Sequence, residues 1–204
     1  MRNITDYDNP FDAIREFEVA LAYYTGAPYV ITVDSCTHAI ELCLRYLEVK
    51  VANIPSKTYL SVPMTMHNLG IKYTYRDEDW RGQYNIKNTP IWDSARKMEA
   101  GMYMWNNFQC VSFGRTKPIE VGRGGAILCN SAEAYNWLKP MTYDGRWLFH
   151  SPWEKQKVFH AGYHYMMRPE ECVEGLNKLE ANDFTEQLDK YYEYPECKDI
   201  HIVD

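Results

Sequence analysis

A few side chains able to do chemistry stand at the ends of apolar runs. In CVSFGRTKPIEVGRGGAIL, residues 110 to 128, a lone lysine, Lys117, follows Ser112 and precedes Gly122, Gly124 and Gly125. In a surface loop such a lysine is only a solvated cation. Held out of water, its pKa falls and the amine becomes a nucleophile toward an aldehyde. Asp93 ends the short run TPIWD. A carboxylate there either caps the next segment or pairs with a protonated ring nitrogen. Ser35, Cys36 and Thr37 lie where YVITV gives way to a helical pattern. The free N–H groups and dipole of a helix start can hold a phosphate, or the hydroxyls can simply cap the helix. Tyr59, after IPSKT, can stack on a planar ring or pack in the core.

Each feature has an ordinary structural explanation. Together, a phosphate cradle, a stacking aromatic, a carboxylate and a lysine are the parts needed to hold pyridoxal 5′-phosphate (PLP).

The elements that must position them follow from periodicity. Residues 10 to 25 carry Ile14, Phe17, Leu21 and Tyr24 at helical spacing, with Gly26 after the end. YVITV, VANIP, IKYTYR, TPIWD, FQCVSF and GGAILC read as strands. A helix with Ile40, Leu44 and Leu47 on one face follows Ser35, and another begins after Tyr59 and stops at Gly70. AEAYNWLKPM is helical, and ECVEGLNKLEANDFTEQLDKYYEY reads as a long amphipathic helix. Strand and helix alternate over the first part of this order, which predicts an α/β fold with a mostly parallel central sheet flanked by helices. Residues 141 to 168 are aromatic-rich and irregular, as functional or interfacial segments often are.

The 204 residues suit a single domain, expected over 1–204, with 170–204 as a C-terminal helix and short tail. The net charge of −6 and the lack of a basic block argue against a nucleic-acid partner. No apolar stretch reaches the roughly 20 residues of a membrane span, and the polar N-terminus is unlike a secretory signal. The six cysteines show no CxxC pair, which reads as reduced thiols in a cytoplasmic protein and predicts no structural metal.

Several stretches, in order, resemble the DegT/DnrJ/EryC1/StrS family of sugar aminotransferases: FEVALAYYTGAPYVITVDSCTHAIELCL, IPSKTYLSVPMTMHNLG, IWDSA, VSFGRTKPIEVGRGGAIL and GYHYMMRPEECVEGLNKLE. The resemblance implies the large cofactor-binding domain of a fold type I PLP enzyme, with the C-terminal small domain of longer relatives missing. It implies Lys117 as the Schiff-base lysine and Asp93 as partner of the pyridine nitrogen. Ser112 and Thr37, with the His38 backbone N–H, are implied phosphate ligands, and Tyr59 stacks on the ring. The chain departs from the family pattern at Arg96, commonly His or Gln, at Cys36, commonly Gly, and at Arg123, often Glu. His164 stands where the family has an asparagine that reaches the phosphate of the neighbouring subunit, so a homodimer with active sites at its interface is implied. The implied reaction moves an amino group from an amino acid, glutamate foremost, to a keto-sugar carried on a nucleotide. Two alternatives remain on the same residues: another PLP-dependent amino-acid reaction, such as decarboxylation, racemisation or elimination, and a catalytically weak PLP-binding protein.

Overall fold

The apolar runs become strands whose side chains alternate between two helical layers. A computed structural model describes residues 1–148, 151–157, 159–185 and 194–203. Helix α1 is Asp12–Thr25, strand β1 Tyr29–Val33, helix α2 Cys36–Tyr46, strand β2 Val51–Pro55 and helix α3 Ser61–Asn68. Strands β3 Lys72–Arg76, β4 Tyr84–Ile86, β5 Ile91–Asp93, β6 Phe108–Ser112 and β7 Gly125–Cys129 follow, then helices α4 Ala132–Met141 and α5 Pro169–Ala181.

Along β1, Ile31 and Val33 face a core shared with α2, α3 and α4, while Val30 faces a second core. Strands β6 and β7 divide in the same way, with Cys110, Ile127 and Cys129 on the first side and Val111, Ala126 and Leu128 on the second. This is the period-2 alternation of a sheet covered on both faces. The second core is closed by Ile14, Phe17 and Leu21 of α1 and by Cys172, Leu176 and Leu179 of α5. The α/β fold expected from the sequence is the fold found.

One sheet has the order β1-β7-β6-β5-β4, and β2 pairs with β3 beside it. A bridge between Asn53 and Lys87 joins the two in the antiparallel sense. The described strands β1, β2, β3, β5 and β6 therefore share one direction, and β4 and β7 oppose it. Because the two reversed strands are interleaved, only the β2–β3 and β5–β6 ladders are parallel. The reversals follow from short connections. Parallel neighbours need a crossover of a dozen or more residues, usually helical. The link from β4 to β5 is a turn, and the link from β6 to β7 carries Lys117 instead of a helix.

Helix α5 is shorter than the pattern predicts. It ends at Ala181 because Asn182 adopts a left-handed conformation, φ 52°, and returns its N–H to Leu179 and Lys178 carbonyls. The remainder of the predicted helix, 186–193, lies outside the described residues. Among its described residues the aromatic segment after α4 holds a short 3₁₀ turn, Trp153–Lys155, and an isolated bridge between Tyr143 and His164. All six cysteines are free thiols, five of them buried. Among the described residues no helix is long and apolar enough to cross a membrane.

Candidate active site

The carboxyl ends of β1, β2, β5 and β6 open onto one cavity of about 550 Å³. Strand ends of this kind are where α/β sheets take ligands. The cavity brings together Thr37, Tyr59, Asp93, Arg96, Ser112 and Lys117 from the sequence-predicted set. Two predicted residues, His38 and His164, are not among its lining residues.

Lys117 is half-buried in the connection between β6 and β7. Its neighbour Thr116 has φ +62°, a conformation that β-branched residues rarely adopt and that marks local strain. Burial lowers the Lys117 pKa, the positive charge of Arg96 lowers it further, and Asp93 and Cys36 act in the opposite sense. A depressed lysine pKa is what a nucleophilic amine needs.

Asp93 is 7% exposed at the end of β5. Its Oδ1 accepts from the Ala95 N–H at 3.0 Å, and its Oδ2 accepts from the Tyr84 hydroxyl at 2.8 Å. Burial raises its pKa, while the Tyr84 and Ala95 hydrogen bonds and the cations Lys117 and Arg96 oppose the rise.

Opposite these two groups, α2 begins. Ser35, Thr37, Ser61 and Ser112 line the cavity around its N-terminus, and the Thr37 hydroxyl donates to Ser61 Oγ at 2.8 Å. Ser112 Oγ accepts from the Gly114 N–H at 3.3 Å. Gly124 and Gly125 let β7 start against this helix end. A Cβ on Gly125 would lie 2.6 Å from the Cys36 nitrogen and 2.7 Å from the Val111 oxygen, both backbone atoms. Gly124 has φ +104°, in the range that favours glycine.

The His38 backbone N–H is already committed, donating to Ser35 Oγ at 3.2 Å as part of the helix cap. Its ring stacks on Tyr165, centroids 3.6 Å apart, and its Nδ1 lies 2.5 Å from Asp34 Oδ1. Asp34 also pairs with Arg123 at 2.9 Å. Burial works to raise the Asp34 pKa, but His38 and Arg123 together hold it below the usual range. Arg123 thus occupies itself at the cavity edge with Asp34. The His164 side chain is 74% exposed and lies 3.3 Å from Asp144.

Tyr59 is 60% exposed on the rim and meets Tyr194 edge-on. Sequence reading missed Tyr84, Trp80, Thr58 and Tyr194. Trp80, Thr58 and Tyr194 line the cavity, and Tyr84 stands behind Asp93. Tyr84 lies directly opposite Asp93 in the β4–β5 ladder, so recognising β4 would have revealed it.

A family model described as the DegT/DnrJ/EryC1/StrS aminotransferase family matches residues 5–92. The chain resembles that family. AtS13 from Actinomadura melliaura is similar in structure at a TM-score of 0.70 and 19% identity, over 84% of this chain and 60% of that one. NtdA from Bacillus subtilis, solved with bound cofactor PMP, gives 0.70 and 19% over 82% of this chain and 47% of its own. A 3-amino-5-hydroxybenzoic acid synthase gives 0.65 and 20% over 83% and 56%. No curated protein sequence matches the chain. The chain therefore spans about half to three-fifths of these structures' lengths. At these identities the likeness establishes the fold. The family match stops one residue short of Asp93 and well before Lys117, so their roles are argued from the geometry.

Proposed function

We propose that the protein is a PLP-dependent aminotransferase that transfers an amino group from an amino acid, glutamate foremost, to a nucleotide-linked keto-sugar. The observation that carries this reading is the convergence of Lys117, Asp93 and the hydroxyl-lined start of α2 on one cavity. The fit to PLP is chemical. A half-buried amine of lowered pKa suits an aldehyde, a buried carboxylate suits a pyridinium, and a helix N-terminus ringed by hydroxyls suits a phosphate.

Thr37 and Ser112 would hold the phosphate, helped by Ser35 and Ser61. With its N–H engaged in the cap, His38 would serve mainly by fixing the start of α2. Tyr59 would cover the ring from the rim. Bound in this way, the cofactor supplies an electron sink for bonds broken at the amino-bearing carbon. Asp93 would keep the ring nitrogen protonated. Lys117 would hold the cofactor, and its amine of lowered pKa would carry a proton to or from the substrate carbon. Arg96 lines the same cavity as a fixed cation and depresses the Lys117 pKa. The active unit is a homodimer in which His164 of the partner subunit reaches the phosphate end. Its exposure outside its own chain's cavity supports that role.

The test begins with PLP added to the purified protein. A visible absorbance band that Lys117→Ala abolishes supports the anchor. Bleaching of the band by L-glutamate, followed by amine transfer to a keto-sugar nucleotide, supports the reaction. A band that no amino acid bleaches overturns the transferase reading in favour of a PLP-binding protein, and the lack of any band overturns the cofactor as well.

A further inference from the structure

We infer that Tyr84 is a positioning residue for Asp93, aiming its carboxylate into the cavity and favouring its charged form through a two-hydroxyl relay that ends at Thr58. The significance of this relay for catalysis rests on the proposed function; the relay itself does not.

The relay has a fixed polarity. An ionised carboxylate only accepts hydrogen bonds. The Tyr84 hydroxyl must therefore donate to Asp93 Oδ2, at 2.8 Å. Its oxygen is then left to accept from Thr58 Oγ1, at 2.5 Å. Tyr84 is 2% exposed and Thr58 1%, so water does not compete for either hydroxyl. Burial and the nearby Asp93 charge push the Tyr84 phenol well above its usual range, which keeps it a donor at any working pH.

The groups facing Asp93 come from several elements. Lys117 in the β6–β7 connection and Arg96 in the turn after β5 line the same cavity, and both cations favour the charged carboxylate. Cys36 of α2 and Cys110 of β6 also face it, and burial raises both thiols far enough that they stay neutral. The hydrogen bond from Tyr84 favours the charged carboxylate, and burial opposes it. The register explains the geometry. Strand β4 pairs Tyr84 with Asp93 across the ladder, and Trp80 packs on the Tyr84 ring at 4.9 Å. This three-residue strand therefore exists beside β5 with a consequence for the site.

The experiment uses the cofactor-free protein. Aspartates are labelled with ¹³C at the carboxyl carbon, Asp93→Asn identifies the Asp93 resonance, and its pH titration is followed by NMR. In Tyr84→Phe the Asp93 midpoint is expected to rise by about one pH unit or more, as for loss of a hydrogen bond to a charged group. Thr58→Val, which removes the donor behind the phenol, is expected to raise it in the same direction by less. An unmoved midpoint in folded Tyr84→Phe overturns the inference. If that variant does not fold, an unmoved midpoint in Thr58→Val does so. A shifted midpoint in a protein that never forms a visible band with PLP leaves the relay standing and removes the proposed function. A normal band with an unmoved midpoint does the reverse.

Discussion

The guanidinium of Arg96 lies over the ring of Tyr194, 5.4 Å from its centroid, and its Nε donates to the Tyr194 hydroxyl at 3.2 Å. A residue just past β5 is thereby tied to one near the end of the chain, and both wall the cavity. The same cation depresses the Lys117 pKa.

Removing that cation should move the pH dependence of cofactor attachment. In Arg96→Gln the Lys117 pKa rises, so less amine is neutral at pH 7. Each unit of rise removes about tenfold of the neutral amine. The rate of appearance of the visible PLP band, measured across pH, is expected to shift to higher pH. An unchanged profile would place Arg96 too far from the amine to matter.

Lys117 should also cost the apoprotein stability. Its folded pKa lies below the unfolded value. Between the two values the unfolded chain binds the extra proton, so stability rises with pH there and the penalty is full below the folded value. Lys117→Met is expected to raise the apoprotein's melting temperature at pH 7. The part of that gain due to the charge should fade as pH climbs through the ordinary lysine range, near about 10.4. Paired melts of both proteins at several pH values check this.

Gly125→Ala tests the junction between β7 and α2. The added methyl meets backbone on two sides, at 2.6 and 2.7 Å, so neither neighbour can swing away. Overpacking of this kind costs about 1–3 kcal/mol. Urea unfolding should show that loss, and PLP affinity should fall because the helix start that would hold the phosphate has to move. Full stability in the variant would mean that the backbone relaxes freely.

Outside the cavity lining, Lys139 and Glu18 form a buried ion pair, 2.5 Å apart. Glu18 Oε1 also accepts from the Thr32 N–H at 2.8 Å and from its hydroxyl at 2.9 Å, fastening α1 and α4 to β1. Lys139→Met strands the carboxylate and should destabilise the fold by about 3–5 kcal/mol, as for other broken buried pairs. The double variant Lys139→Met with Glu18→Gln should recover part of that loss in denaturant melts.

Much of this arrangement was legible in the residues. Lys117, Asp93, Thr37 and Ser112 stand at the ends of apolar runs, and strand ends gather in space once the strands share a direction. The helix start at Ser35 was legible too, including the cap in which its hydroxyl accepts from the His38 N–H. Tyr84 was hidden because YNI is short and flanked by polar residues, and its importance comes from a register that only the folded sheet sets. Tyr194 was hidden by distance along the chain, since nothing local links it to Arg96. The end of α5 was misjudged because apolar periodicity continues past Asn182, while the left-handed turn at that residue stops the helix. The interleaving of β4 and β7 was missed because alternation of elements speaks to crossovers and says little about short links.

Most of the cavity lining comes from connections and element ends, whereas the two cores are filled chiefly by the strands and helices themselves. Selection can therefore act on the two separately. An exchange at Arg115, exposed on the cavity wall, alters what the rim admits without touching either core. Ligand preference in such a chain can drift much faster than its architecture.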